Sequence, residues 1–233
     1  MRQFKLVAGE PWGQVYSRGF LRDDQGRVII QSDGTPAVTA GLDIPVANFN
    51  PDWLGGIRNT LTFKGFSLSF LIDIRKGGSV VSLTNAIMYA DGLTEETLNG
   101  REGNLVFGQN IFENEIAVDE GGNTNTIATD SETMWSWLGG RNAPVGEAFV
   151  KDASNVRMRE MVFAYSIPSS KLTKSVLNEI RIGLVGRNLF FISNSAGNLD
   201  PEIFINTANN ADGFESFGPP TVREFGLNLR LGF

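Results

Sequence analysis

The side chains able to do chemistry in this 233-residue chain are carboxylates, guanidiniums and aromatic rings, because it has no cysteine and no histidine. Thiolate nucleophiles, disulfides and cysteine metal sites are thereby removed. So are the commonest general base and the commonest metal ligand. No serine–histidine or cysteine–histidine pair can form. The carboxylates remain, but nothing in their spacing selects the acid–base pair that a glycosidase needs. Asp119, Glu120 and Asp130 flank the run GGNTNT, an oxygen-rich stretch able to attract Ca²⁺. It lacks the EF-hand spacing and a closing bidentate glutamate, so a mobile polar loop tip is the preferred reading and no metal site is assigned. Gly77-Gly78 and Gly121-Gly122 miss the phosphate-cradling spacings, and no nucleotide or other cofactor is implied.

Two further groups could recognise a ligand rather than transform it. Trp135 and Trp137, in MWSW beside Gly139-Gly140, offer ring faces that stack on sugars; packing within their own loop or against a partner is the plainer reading. Asp200 and Glu202 flank Pro201. Their carboxylates could meet substrate, but a proline-fixed turn with solvated acids is the simpler expectation. The net charge of −6 leaves no basic stripe for nucleic acid.

The elements that must position these groups are strands. Val222 to Phe233 alternates strictly: Phe225, Leu227, Leu229, Leu231 and Phe233 fall on one face, Glu224, Gly226, Asn228, Arg230 and Gly232 on the other. Ile57–Phe63 and Phe66–Ile74 make a hairpin across Lys64-Gly65. Asn155–Ser166 puts Met161, Phe163 and Tyr165 on one side, with a bulge expected near Arg159-Glu160. Glu179–Phe191 is the next strand, and Gln14–Leu21 reads as one more. Arg27–Gln31 reads as part of a small hairpin, with turns at Asp24-Gln25-Gly26 and Asp33-Gly34.

No run of about 18 apolar residues exists, so a transmembrane helix is excluded, whereas a membrane barrel is not, since alternate residues face a polar lumen. The connections after residue 63 alternate between short (Lys64-Gly65, then Pro168–Asn178) and long (Arg75–Ser154, then Ile192–Thr221). Short periplasmic turns and long extracellular loops alternate in this way in an outer-membrane barrel, which places Phe233 in the periplasm. Roughly six or seven strands are expected, fewer than the eight a barrel needs, so the chain cannot close alone. The N-terminal residues have no apolar core of signal-peptide length, and the chain reads as the tail of a longer one.

Four segments in order, Asn50 to Gly78, Phe149 to Pro168, Ile180 to Glu202 and Gly218 to Phe233, resemble the C-terminal half of SusC/RagA-type TonB-linked outer-membrane proteins of Bacteroidetes. The resemblance covers essentially the whole chain. It implies an all-β antiparallel transmembrane barrel of about 22 strands around an N-terminal plug, of which residues 1–233 are the C-terminal portion with long extracellular loops. It further implies import of oligosaccharides, glycan fragments or peptides, a SusD-like surface lipoprotein, and energy delivered through TonB. Asp200 and Glu202 fall in the family's LDPE segment at the start of the last long loop. Arg157, Arg159 and Glu160 fall in its RMRE segment, where ion pairing on the lumen wall is expected. Phe233 resembles the terminal aromatic read by the barrel-assembly machinery. The plug, the TonB box and the earlier strands are missing, and no bond-making chemistry is expected. A passive porin-like barrel and, further off, a soluble all-β carbohydrate-binding module are the alternatives.

Overall fold

The computed structural model describes residues 3, 4, 6–168, 172, 176–203 and 213–233. Thirteen strands are assigned among them. The first four are β1 (Gln3–Phe4), β2 (Gln14–Ser17), β3 (Val28–Ile30) and β4 (Ile44–Asn48). A long pair follows, β5 (Trp53–Phe63) and β6 (Phe66–Lys76). Next come β7 (Ser79–Ser82), β8 (Ala117–Asp119) and β9 (Val150–Asp152). β10 (Asn155–Ser166) and β11 (Glu179–Asn194) are long, β12 (Phe214–Glu215) is short, and β13 (Glu224–Gly232) is the last. Two eight-residue helices, α1 (Leu83–Ala90) and α2 (Ser131–Leu138), lie between β7 and β9. The chain divides into two units: residues 1–50, 79–151 and 204–218 form the first, and 51–78, 152–203 and 219–233 the second.

The second unit is one antiparallel sheet in the order β13-β11-β10-β6-β5. Its strands run from 9 to 16 residues, enough to cross a bilayer when tilted. Directly opposed residues share a face, so the registers propagate one surface across all five strands. Ile57, Leu61 and Phe63 stand opposite Ile72, Leu68 and Phe66. Those continue into Met158, Phe163 and Tyr165, then into Phe190, Leu184 and Ile182. Leu227 and Leu229 of β13 complete the row, opposite Leu184 and Ile182. The reverse face carries Arg58, Thr60, Ser69, Asp73, Arg157, Arg181, Asn228 and Arg230.

Two irregularities matter. The Lys64-Gly65 turn has φ of +46° and +90°, the two positive values of a type I′ hairpin. Gly65 is needed there: a Cβ would lie 2.9 Å from the Ser166 carbonyl oxygen. Gly65→Ala is expected to cost about 1–2 kcal/mol from left-handed strain, read as a lower urea midpoint for loss of the folded, heat-modifiable form. The second irregularity is the expected bulge, a register shift between Met158 and Glu160. Strict alternation would separate Glu160 from Arg157; the extra residue, Arg159, lets both reach the polar face.

The long connections all leave one end of this sheet, at Trp53, Lys76, Asn155, Asn194 and Glu224, while Lys64-Gly65 and the 167–178 connection lie at the other. Parts of the 168–178 and 192–221 connections fall outside the described residues. The sheet has five strands, not six or seven. Gln14–Leu21 is not one of them: only Gln14–Ser17 is a strand, and it pairs with β1 and β4. Its Val15, Tyr16 and Ser17 are all buried, so no face is left for lipid.

The first unit has its own core. Phe20, Val28, Ile30, Phe107, Met134 and Phe149 pack together there with both helices. The expected turns at 24–26 and 33–34 form, but β3 also pairs in parallel with β8, which no local pattern announces. The segment read as a long loop is thus folded. Ser82 caps α1 by accepting from the Asn85 N–H, and Asp130 caps α2 by accepting from the Thr133 N–H. Gly139 ends α2 where a Cβ would lie only 2.3 Å from the Ala86 carbonyl oxygen of α1, so only glycine permits that approach.

Candidate functional site

The polar face of the sheet concentrates charge at one place. Arg157 is almost wholly buried, with 3% of its side chain exposed, and its guanidinium lies 3.9 Å from the centre of the Phe191 ring. Its Nη2 donates to Asp200 Oδ2 at 2.6 Å and its Nη1 to Glu202 Oε2 at 2.9 Å. Arg159, placed beside it by the bulge, donates to both oxygens of Glu202, at 3.0 and 2.7 Å. It also donates to Asp73 Oδ2 at 2.7 Å and to Asn188 Oδ1 at 3.1 Å. Charge-assisted, forked pairs of this kind are the strong ones.

Asp200 was expected to be a solvated acid in a proline turn. The turn exists, with the Glu202 N–H donating back to Asp200 Oδ1 at 3.0 Å. The solvation does not: Asp200 is buried, and Thr221 Oγ1 donates to its Oδ2 at 2.6 Å. Burial pushes the Asp200 carboxyl up, but hydrogen bonds from Thr221 and Arg157 outweigh it and hold it below the usual carboxylate range. Arg157 therefore pairs with the loop carboxylates Asp200 and Glu202, and Arg159 with Glu202 and with Asp73 of β6, rather than with Glu160. Glu160 instead faces Arg58 and Arg187, at 3.7 and 3.3 Å. These outer pairs are exposed and each contributes little.

Chemically, this network fastens and does not react. Each of its carboxylates is committed to an arginine. A recess of about 270 Å³ beside it is lined by Arg157, Phe191, Asp200, Thr221 and Arg223 among others, and can admit small polar groups.

The aromatic candidates separate. Trp135 is core, 7% exposed, with Tyr89 4.5 Å away between ring centres, so its faces are not open to stack on a sugar. Trp137 is exposed, and its indole N–H donates to the Pro36 carbonyl at 2.8 Å. Asp119 accepts from the Asn123 N–H at 2.8 Å and Asp130 serves as the α2 cap. Both oxygen sets are thus used internally, and no metal-binding cluster is found among the described residues. Phe233, one residue beyond β13, is 82% exposed. What sequence reasoning missed is Asp73, Asn188 and Thr221, whose only local signal is their place on or beside strands facing the polar side.

An antiparallel sheet with one largely apolar face, one charged face and a loop pinned to the charged side has the two-faced pattern of strands set between lipid and a polar interior. No family model matches the chain. It is 23% identical over 216 residues to TonB-dependent receptor P3 of Formosa agariphila, covering 91% of the chain and 19% of the receptor. It is 25% identical over 227 residues to TonB-dependent receptor P26 of the same organism, covering 94% of the chain and 20% of that receptor. Among solved structures it superposes over its full length on the RagAB peptide importer in the closed-closed state, with a TM-score of 0.59 and 16% identity, covering 25% of that chain. The open-open state gives 0.59 and 15%, covering 24%. The chain thus resembles the TonB-dependent receptors of the SusC/RagA type in sequence and fold. It spans about a fifth of the length of the curated relatives it matches.

Proposed function

We propose that this chain supplies wall strands and surface loops to an outer-membrane, TonB-driven importer of bulky solutes. The single observation that carries the reading is the broad exposed apolar face: Ile57, Phe63, Phe163, Leu184 and Leu227 are between 47% and 81% exposed, which water would penalise and lipid rewards. In the complete protein, β5 and β13 pair with further strands, closing a barrel of about 22 strands around a plug. The charged face lines its lumen. Peptide cargo is favoured over glycan by the likeness to a peptide importer. A SusD-like lipoprotein covers the mouth, and Trp137 is the exposed aromatic offered to it or to cargo. Asp200 and Glu202 act indirectly, by holding the last long loop against the wall. Phe233 lies on the periplasmic side and is read during barrel assembly.

The test is an immunoblot of fractionated cells with an antibody against residues 113–129. A band in the outer-membrane fraction, far above 25.4 kDa and shifting in mobility on boiling, is the expected result. A band near that mass in the soluble fraction would overturn the proposal.

A further inference from the structure

The recess of about 270 Å³ beside the fastening network lies wholly within the second unit, and its lining is chemically one-sided. Asp200 supplies its only carboxylate, and both oxygens are taken. Oδ1 accepts from the Glu202 N–H at 3.0 Å, and Oδ2 accepts from Arg157 and from Thr221 Oγ1, each at 2.6 Å. Asn194 spends its amide on its own loop, donating to the Gly197 and Leu199 carbonyls and accepting from the Ala196 N–H.

The donors are not spent. Arg223 lines the recess, is exposed, and makes no ion pair or hydrogen bond among the described residues. Each of the other described arginines has such a partner. Asn188 accepts from Arg159 through Oδ1, and its amide nitrogen has no acceptor among the described residues. Arg157 is balanced by Asp200, so Arg223 leaves the lining with one uncompensated positive charge. A guanidinium is a flat fork of N–H donors matched to the two oxygens of a carboxylate. On an open surface such a pair contributes little, because water competes for both ions. Here Phe190, Phe191 and Leu199 replace water on the walls, and the Asn188 amide stands by as a second donor. Free donors, an uncompensated cation and no unspent carboxylate favour a small anion over a neutral or cationic group.

We propose that this recess binds a solute carboxylate, of the kind carried by the end of a peptide or by a uronic acid, with Arg223 as counter-ion and Asn188 as a further donor. Regarding that solute as cargo rests on the importer reading; the binding itself is measured without transport. The test uses the intact receptor containing this chain, purified in detergent, and isothermal titration. The probes are N-acetyl-dialanine and methyl glucuronoside, each against its neutral twin, N-acetyl-dialanine amide and methyl glucoside. At least one acid is expected to bind about tenfold more tightly than its twin. That margin should disappear in Arg223→Gln, a change that breaks no contact among the described residues. It should persist in Arg230→Gln, which alters the net charge equally from farther along β13, outside the recess. Which pair shows the margin tells peptide from uronate. Equal affinities, no binding of any probe, a margin that survives Arg223→Gln, or one lost equally in Arg230→Gln would each overturn the inference and leave the importer reading untouched.

Discussion

Replacing Arg157 with leucine should cost about 3–5 kcal/mol, because it strands the Asp200 carboxylate in a place that water does not reach. The side chains of both partners are at most 5% exposed, so solvent screening does not discount the pair. The attraction itself stabilises little, since both ions lost their hydration on burial; the cost lies in what a single deletion leaves behind. Arg157→Leu should therefore release the loop from the wall. The readouts are a lower melting temperature of the detergent-purified intact receptor and new endoproteinase Glu-C cleavage after Glu202. Arg157→Leu/Asp200→Asn removes the stranded charge and should recover part of the loss, a coupling of about 1–3 kcal/mol. Additive single effects would mean that the two ions do not meet. Arg159→Leu offers the contrast. Its partners Asp73 and Glu202 are 45% and 24% exposed, so the loss should stay near or below about 1 kcal/mol.

The same pair shows where a linear reading of the chain stops. Pro201 announces a turn, and the turn forms, but the arginine that receives the Asp200 charge lies 43 positions away and leaves no local trace. The five long strands were legible because two different surroundings, one apolar and one polar, act on alternate residues and write a period of two into the sequence. The Arg159 bulge was legible for the same reason, since it marks the point where alternation slips. The first unit was not. α1 and α2 are eight residues each, too short for a convincing helical period, and they owe their stability to tertiary packing. Their signals were present as Ser82, Asp130 and Gly139, all easily taken for turn residues. Trp135 shows the cost of that: two tryptophans in an apparent loop suggest contact with a ligand, yet one of them is the core of a helix pair.

Leu227→Arg and Asn228→Arg, one residue apart on β13, should have opposite consequences. Leu227 sits in the apolar row opposite Leu184, and in lipid an arginine there costs about 2–4 kcal/mol if near the bilayer midplane. Assembly competes with degradation, so the heat-modifiable protein recovered from the outer membrane should fall by about tenfold or more. Asn228 opposes Gly183 on the charged face, flanked along its own strand by Gly226 and Arg230, and a further arginine there remains hydrated in the lumen. Its level should match the unsubstituted protein. In water the ranking would invert. A leucine that is 81% exposed gains solubility when replaced by arginine, and surface changes of this kind usually stay within about 0.5 kcal/mol. Equal recovery of the two variants would therefore argue that neither face meets lipid. The expected asymmetry would show that the surrounding medium, rather than the local propensity of β13, decides which residues the strand can carry.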